Sequence, residues 1–401
     1  MAKDLCVLAY SGGLDTSVAI RWIAEEYDVD VVALAIDVGE EQDYEGIREK
    51  GLQVGAVESI VVDAVDEFAE EYISKAIAAN LMYEDKYPAF TALARPLLAK
   101  HQVRVAQEMG AKYLAHGCTG KGNDQVRFEV TYQALAPEME CIAPAREWGM
   151  NRDDEIDYAK KHGIPVPVGK ESPYSTDTNL WGRSIECGQI EDPSLEGPDD
   201  AWEWTTDPRQ APDEPTYLKI GFERGMPVAL DGKEMSAAEL ITTVNDIAGA
   251  NGVGRIDMME NRLVGIKSRE LYEAPAAVTI LAAHKDLESL TLDRETAHFK
   301  PYLQLRYAEL VYYGQWFTPL REAIDAFMSE TQTLVNGEVT VKLYRGTAQP
   351  VARTSDNSLY DFSLASYGEE DEFDQSKSKG FIDLWALPAK VTNSVRRQME
   401  E

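Results

Sequence analysis

The chain contains little cysteine and no long apolar run. Its 401 residues include four cysteines, and none of them forms a CxxC pair. This scattering argues against a zinc site and against a disulfide framework, and it is typical of a reducing cytoplasm. No apolar stretch approaches the ~20 residues that cross a bilayer, and the first residues show no signal peptide. We therefore expect a cytoplasmic protein with no membrane partner.

Basic residues are also scarce. Lysine and arginine total 39 against 70 aspartates and glutamates, which gives a formal net charge of −31. Such a surface repels phosphate backbones, so we expect no nucleic acid partner. An anionic substrate would then have to be bound in a local basic pocket within an acidic envelope.

No lysine occurs between Lys3 and Lys50, and this gap limits what the most informative segment can be. Residues 9–17 read Ala-Tyr-Ser-Gly-Gly-Leu-Asp-Thr-Ser, after an apolar run and before a helical pattern. A strand, a glycine turn and a helix start offer unpaired N–H groups and a helix dipole to a phosphate. A Walker loop would need a lysine here, and the GxGxxG fingerprint is absent. The alternative is an ordinary strand-to-helix turn capped by Ser11 or Asp15.

The first ~165 residues alternate strand-like and helix-like segments, which predicts an α/β fold with a doubly wound parallel sheet. The loops that follow Ala9, Ala35 and Gly117 should converge, because ligands bind at the carboxyl ends of such strands. The strands are predicted at Leu5–Ala9, Val29–Ile36, Ser59–Asp63 and Lys112–His116. The helices are predicted at Thr16–Tyr27, Tyr44–Val54, Val65–Asn80, Leu93–Met109 and Arg152–His162.

The length and a change of pattern predict three parts. Residues 1–168 form a nucleotide-binding domain that ends in the linker Ile164–Gly169. Residues 169–360 form an α+β domain, with strands around 216–222 and 339–343, a capping box at Ser236 and a helix from Pro275. Residues 361–401 form a C-terminal tail whose apolar residues fall at helical spacing, interrupted or restarted at Pro388.

A second dense segment covers residues 115–129, Ala-His-Gly-Cys-Thr-Gly-Lys-Gly-Asn-Asp-Gln-Val-Arg-Phe-Glu. Its three glycines alternate with polar residues after a strand, so it offers backbone N–H groups and short side-chain donors to a ligand. The alternative is a glycine-rich turn without function, which does not account for so many polar side chains in one place.

Five segments, taken in order, resemble one family. They are residues 9–17, Tyr87–Pro96, residues 115–129, Tyr174–Ser184 and residues 260–275. The first resembles the loop of the N-type ATP pyrophosphatases, and together they resemble argininosuccinate synthase. The resemblance implies that ATP activates citrulline as a citrullyl-adenylate, releasing pyrophosphate, and that aspartate then displaces AMP. It also implies Mg²⁺ and a homotetramer whose C-terminal helices cross between subunits.

The same resemblance implies the roles of single residues. The ATP contacts are Ala9, Tyr10, Ser11, Gly12, Gly13, Leu14, Asp15, Thr16, Ser17, Ala35 and Gly117. The aspartate site is Thr119, Asn123 and Asp124, and the citrulline site is Tyr87, Asn123, Arg127, Ser175, Ser184, Glu260 and Tyr272, with Thr91 beside Tyr87. Asp15, Asp124 and Arg127 are taken as catalytic. No residue is assigned to the metal, and Arg95 and His116 receive no role.

Simpler interpretations stay open for several of these residues. Tyr87 and Tyr272 alone would more often be packing residues, and Glu260 alone a solvated charge. Phe90 and Thr178 depart from the family pattern without removing a named residue. Rival functions are a tRNA-thiolating enzyme, an amidotransferase and a nucleotide-binding scaffold without activity. The dispersed cysteines, the net charge and the length disfavour the first two, and the intact substrate motifs disfavour the third.

Overall fold

The computed structural model describes residues 3–165 and 173–400. Its contacts divide the chain into two compact units, Met1–Asn357 and Ser358–Glu401. Most of the predicted linker Ile164–Gly169 lies outside the described residues, and the division at residues 168 and 360 stays a prediction.

A five-stranded parallel sheet organises the N-terminal part. Its strands are β1 Leu5–Ala9, β2 Asp30–Asp37, β3 Glu58–Asp63, β4 Tyr113–Ala115 and β5 Glu140–Ile142. The spatial order is β3-β2-β1-β4-β5, so the direction of strand addition reverses between β1 and β4. Such a switch point leaves a crevice at the carboxyl ends of the two central strands. The predicted doubly wound sheet is confirmed.

Twelve α-helices lie between the start of the described chain and residue 331, some beside the parallel sheet and the others in the antiparallel part that follows it. They are α1 Leu14–Glu26, α2 Tyr44–Val54, α3 Val65–Glu67, α4 Ser74–Ala78, α5 Phe90–Met109, α6 Asp124–Leu135, α7 Pro144–Glu147, α8 Arg152–His162, α9 Ala237–Ala250, α10 Pro275–Thr291, α11 Arg294–Tyr312 and α12 Pro319–Thr331. A π-helical segment, Phe68–Ile73, joins α3 to α4, and short 3₁₀ turns cover Gly188–Glu191, Asp199–Ala201 and Gln332–Leu334.

Helices cover both faces of the parallel sheet because its side chains alternate. Cys6 and Leu8 of β1 are buried in one cluster with residues of α1 and α8. Val7, between them, is buried in another cluster with residues of α5 and α6. Burial on both sides accounts for the nearly continuous apolar run of this strand, as parallel sheets require.

Several predicted boundaries shift by one to three residues, and two segments differ more strongly from the sequence-based expectation. Residues 124–129, which belong to the glycine-rich segment 115–129 that was interpreted as a loop, form the first half of α6. The three glycines end at Gly122, immediately before this helix begins, so the loop is shorter than its polar composition suggested. The helix predicted at Val65–Asn80 is interrupted by the π-helical segment and ends at Ala78.

Two antiparallel sheets form the second part of the larger unit. One has the order β10-β9-β8-β13-β14 and the other β11-β12-β7-β6. Their strands are β6 Ser175–Asn179, β7 Gly182–Glu186, β8 Thr216–Glu223, β9 Met226–Leu230, β10 Lys233–Glu234, β11 Arg255–Asn261, β12 Lys267–Glu273, β13 Gly337–Tyr344 and β14 Thr347–Thr354. The alternating residues predicted to face inward on β8 and β13 are buried. The capping box at Ser236 is present, with Glu239 as its partner.

The C-terminal unit, Ser358–Glu401, consists of short helices. They are α13 Phe362–Ala365, α14 Lys377–Trp385 and α15 Leu387–Glu400, and Pro388 lies in the first turn of α15. Proline fits the start of a helix because it lacks only an N–H that would be unpaired there. In the described part of the chain, no helix combines the length and the apolar character that a membrane span needs.

Candidate active site

The loop between β1 and α1 has the shape of an anion site. Gly12 has φ +75°, and a Cβ placed there would lie 2.9 Å from Ile47 Cγ1, so this position requires glycine. Ser11 Oγ accepts from Gly13 N at 3.3 Å, and Ser17 Oγ donates to Gly13 O at 2.6 Å. These bonds fix the turn, while the first N–H groups of α1 point beyond the end of the helix.

The other predicted nucleotide contacts lie beside this loop. Ala35 is buried on β2, next to Leu34, whose carbonyl accepts from Tyr10 N at 2.9 Å. A Cβ on Gly117 would lie 3.0 Å from Thr16 Cγ2, so the chain after β4 touches the start of α1. The carboxyl ends of three strands therefore meet at the switch point.

A cavity of about 520 Å³ opens on the Ser11–Gly13 side of the loop. The start of α2 forms its other wall, with Asp43 as the N-cap of that helix. Lys50 belongs to this wall, and its side chain extends to the loop, where Nζ donates to Gly12 O at 2.6 Å. Burial lowers the pKa of Lys50 from its usual range.

Asp15, in the first turn of α1, is exposed and paired. Arg152 Nη1, on α8, lies 2.5 Å from Asp15 Oδ1, and Glu155, also on α8, lies beside this pair. Burial and the negative charge of Asp15 raise the pKa of Glu155 to about 7. The pair ties α8 to the loop.

Two guanidinium groups and two carboxylates form the centre of the second cluster. Arg95 Nε donates to Asp124 Oδ2 at 2.9 Å, and its Nη2 pairs with Asp177. Arg127 Nη1 donates to Asp124 Oδ1 at 2.8 Å. Burial favours the neutral form of Asp124, but Arg95 and Arg127 outweigh it and hold the pKa of this carboxyl below its usual range. Burial raises the pKa of Asp177 instead.

One nitrogen of the Arg127 guanidinium lacks a hydrogen-bond partner among the described residues. The residue is 3% exposed, its Nε donates to the carbonyl of Tyr312 at 3.1 Å, and its guanidinium lies over the Tyr312 ring. Nη2 is buried and has no hydrogen-bond partner among the described residues. Buried donors are rarely left unpaired, so an acceptor is missing at this atom.

A buried carboxylate with two tyrosines lies close by. Tyr312 OH donates to Glu260 Oε1 at 2.7 Å and Tyr272 OH to Glu260 Oε2 at 2.5 Å, and Glu260 is 3% exposed. Asn123 Nδ2 donates to Tyr312 OH at 2.8 Å, and its Oδ1 accepts from Leu263 N at 2.9 Å. The backbone and hydroxyl of Tyr312 therefore connect Arg127 with Glu260.

Strand register brings distant residues onto one face of the β11-β12-β7-β6 sheet. Tyr272 lies opposite Ser184, and Ser184 opposite Asp177. Directly opposed residues project to the same side. Glu260, opposite Ser268, shares this side with Tyr272, as their hydrogen bond requires. Ser175 is exposed two residues before Asp177 and is the least enclosed of the predicted citrulline residues.

Tyr87 closes the apolar side of this cluster. Its ring stacks on Tyr272 with centroids 4.5 Å apart, and its hydroxyl accepts from Thr91 N at 3.0 Å. Phe90 packs edge-on against both rings and fills the space beside Gly182, where a Cβ would come within 2.5 Å of it. The departure at Phe90 is thus a packing residue behind the site. Thr119 is exposed in the loop before α6, where its carbonyl accepts from Gly122 N at 3.3 Å.

Sequence reasoning missed three residues of these clusters. Arg95, given no role, binds both Asp124 and Asp177. Tyr312 joins Arg127 to Glu260 from α11, a helix that no predicted motif included. Lys50 had served only to exclude a Walker loop. The signal for Arg95 was its place within the Tyr87–Pro96 segment, whereas Tyr312 carried no recognisable signal.

The two clusters suit different ligand groups. The glycine loop and α1 offer N–H groups and a helix dipole to phosphates. Arg127, with a free donor, suits a carboxylate, and Glu260 suits an ammonium group. A carboxylate site and an ammonium site joined through one tyrosine match the two charges of an α-amino acid.

Comparison with known proteins identifies the family of the chain. The family model "Arginosuccinate synthase N-terminal HUP domain" matches residues 5–165, and "Arginosuccinate synthase C-terminal domain" matches residues 174–392. Argininosuccinate synthase of Symbiobacterium thermophilum is 58% identical over 398 residues, covering 99% of both chains. That of Oceanobacillus iheyensis is 56% identical over 395 residues, 98% of this chain and 95% of the relative. That of Streptococcus gordonii is 55% identical over 401 residues and covers both chains fully. The chain belongs to the argininosuccinate synthase family.

Proposed function

We propose that this chain condenses L-citrulline with L-aspartate at the expense of ATP, and that the two clusters described above divide the work. This reaction is that of the family, and it makes the enzyme an ATP-dependent carbon–nitrogen ligase of arginine biosynthesis. The ureido carbon of citrulline is a poor electrophile, so its oxygen must first become a leaving group. That oxygen attacks the α-phosphorus, pyrophosphate leaves, and the aspartate amine then displaces AMP from the citrullyl-adenylate.

The unpaired Nη2 of Arg127 carries the citrulline part of the proposal. A citrulline carboxylate would supply the missing acceptor, and the planar fork of arginine suits it. Glu260 would take the α-ammonium group in place of part of its tyrosine hydrogen bonding. Tyr87, Tyr272, Ser184 and Ser175 would line the rest of the molecule, with Thr91 holding the Tyr87 hydroxyl.

Asp124 is the residue through which the aspartate substrate would meet citrulline. It is held between Arg95 and Arg127 and stays ionised, so it can pair with an ammonium group. Thr119 and Asn123 stand on either side of the short loop that leads into α6 and would complete the aspartate site. Holding the three substrates in one arrangement lowers the entropic part of the barrier.

ATP would lie along Ala9–Ser17 with Ala35 and Gly117 beside it. N–H groups aimed at the phosphates stabilise the charge that develops as the bond to pyrophosphate breaks. We take the substrate to be the magnesium complex of ATP, because Mg²⁺ binds through phosphate oxygens and one or two carboxylates. Asp15, exposed at the loop, is the carboxylate whose position suits this contact, and it would then separate from Arg152.

The tail and the setting complete the proposal. α15 has an apolar face along Leu387, Val391 and Val395 that is exposed in this unit. We propose that residues 361–401 join copies of the chain into a homotetramer and that the enzyme acts in the cytoplasm. We expect neither a membrane nor a nucleic acid to take part in this reaction.

The experiment that tests the reaction follows each product while one substrate is omitted in turn. Pyrophosphate release from Mg-ATP should require citrulline, and argininosuccinate should form only when aspartate is added. With ¹⁸O in the citrulline ureido group, the label should appear in the phosphate of AMP, because that oxygen attacks phosphorus. Release without citrulline, or unlabelled AMP, would exclude the adenylate step. ATP binding without any turnover would favour a scaffold or a different acceptor.

A further inference from the structure

The phosphate loop contains no lysine of its own, yet a lysine stands beside it. Lys50 lies on α2, one turn after Ile47, the residue that packs against Gly12. Residues three apart on a helix share a face, so this packing aims Lys50 at the loop. Its ammonium group reaches Gly12 O at 2.6 Å. Lys50 therefore brings to the loop, from another element, the positive charge that a Walker motif contains within its own sequence.

The charge of Lys50 has no counter-ion in the part of the chain that the structure describes. Its one protein hydrogen bond there goes to an uncharged carbonyl. An ammonium group carries three donors, so two remain for other acceptors. The half-buried position makes this charge costly without an anion.

The cavity beside Lys50 suits a polyphosphate better than a nucleobase. Ser11, Gly12 and Gly13 form one wall, and Asp43, Ile47 and Lys50 lie on the other. It offers polar groups and backbone, with no aromatic ring on which a base could stack. Ala35 and Gly117, the two predicted ATP contacts outside the loop, are not part of this lining.

We propose that Lys50 binds the β- and γ-phosphates of ATP and the pyrophosphate that they become. This inference rests on the proposed function, whose first step breaks the bond between the α-phosphorus and the oxygen bridging to the β-phosphorus. The electron pair of that bond passes to pyrophosphate, and Lys50, beside the leaving group, stabilises the added negative charge. One of its donors stays on Gly12 O, which keeps the loop in place.

The test measures pyrophosphate and AMP binding separately in the full-length protein. Isothermal titration with Mg-pyrophosphate and with AMP would compare the wild type with Lys50→Met, Lys50→Arg and the control Lys112→Met. Lys112 is exposed and immediately precedes β4. It lies at the amino ends of the parallel strands, whereas the phosphate loop lies at their carboxyl ends. Thermal melting would show that each variant is folded. Should Lys50→Met not fold, Lys50→Gln keeps a donor for Gly12 O while removing the charge.

We expect Lys50→Met to weaken Mg-pyrophosphate binding by roughly tenfold to a hundredfold, the range for a hydrogen bond to a charged group. AMP binding should stay within twofold, kcat for pyrophosphate release should fall by a similar factor, and Lys50→Arg should restore part of both. Pyrophosphate binding within twofold of wild type would overturn the inference. So would an equal loss of AMP binding, which would reduce Lys50 to a support for the loop. A wild type that forms no argininosuccinate but binds pyrophosphate through Lys50 would remove the proposed function and leave this inference standing.

Discussion

Replacing Arg127 by lysine tests the proposed role of this residue in citrulline recognition separately from the rest of the site. In the structure the guanidinium uses Nε for the Tyr312 carbonyl and Nη1 for Asp124, and Nη2 is unpaired. Lysine keeps the charge but has a single nitrogen, so it cannot serve these acceptors and a bound carboxylate in one plane. The shorter head group would also leave the face of the Tyr312 ring. Asp124 would still be held by Arg95.

The expected loss follows from the hydrogen bonds involved. A citrulline carboxylate bound to Nη2 and to a neighbouring donor would lose at least one charge-assisted bond. Such bonds contribute about 1.5–3 kcal/mol each. This corresponds to a rise in the citrulline KM of roughly tenfold to a hundredfold. The KM for ATP should change by less than twofold, because the described contacts of Arg127 involve no residue of the phosphate loop.

Steady-state pyrophosphate release, with each substrate varied in turn, measures these constants. Arg306→Lys is the matched control, since Arg306 is an exposed arginine of α11 that pairs with Glu309 at 2.7 Å. A citrulline KM within twofold of wild type in Arg127→Lys would refute the role assigned to Nη2. A parallel rise for all three substrates would point to a collapse of the cluster instead, and a large drop in melting temperature would accompany it.

Three further predictions address other parts of the chain. Glu260→Gln keeps an acceptor for one tyrosine but removes the negative charge, so the citrulline KM in the same assay should rise roughly tenfold, and an unchanged value would exclude an ammonium contact. Burial, with the charge of Asp177 adding to it, raises the pKa of Glu40 to about 7. The neutral form is thus favoured on folding, and stability is lost as the pH rises through that value. The melting temperature of Glu40→Gln, relative to that of the wild type, should therefore increase between pH 5 and pH 8. A difference in melting temperature that does not change with pH would contradict this. Ending the chain at Ser376 removes α14 and α15 and should lower the oligomer mass in size exclusion with light scattering, whereas an unchanged mass would refute the proposed role of the tail.

The sequence predicted the parallel sheet well because the signals were local. β1 and the helices α2 and α8 begin and end at the predicted residues. Apolar runs, an Asp or Asn cap and a glycine after the last turn all lie within a few positions of these boundaries. The convergence of the loops after β1 and β4 followed from the general rule for strand ends, without any knowledge of side-chain contacts.

The prediction was wrong for α6, where the glycine-rich and polar composition outweighed the helical spacing of two charged residues. The glycines and polar side chains of residues 115–129 favoured a loop over that whole segment. In the structure, α6 begins at Asp124 and places Arg127 one turn further on. The i, i+3 spacing of this pair was visible in the sequence and fits an ion pair along a helix. Reading the charges as a helical pair would have located the helix.

Tyr312 shows what no local pattern could supply. It lies 185 residues from Arg127 and 52 from Glu260, yet it accepts from one and donates to the other. Each end of that connection depends on a different part of the fold, α6 on one side and the β11-β12-β7-β6 sheet on the other. A tyrosine in a helix is ordinarily a packing residue, so its role becomes visible only once the two elements are in place. The packing of α11 therefore sets the spacing of Arg127 and Glu260, and the amino-acid recognition that we propose for this pair would be a property of the tertiary structure rather than of any single motif.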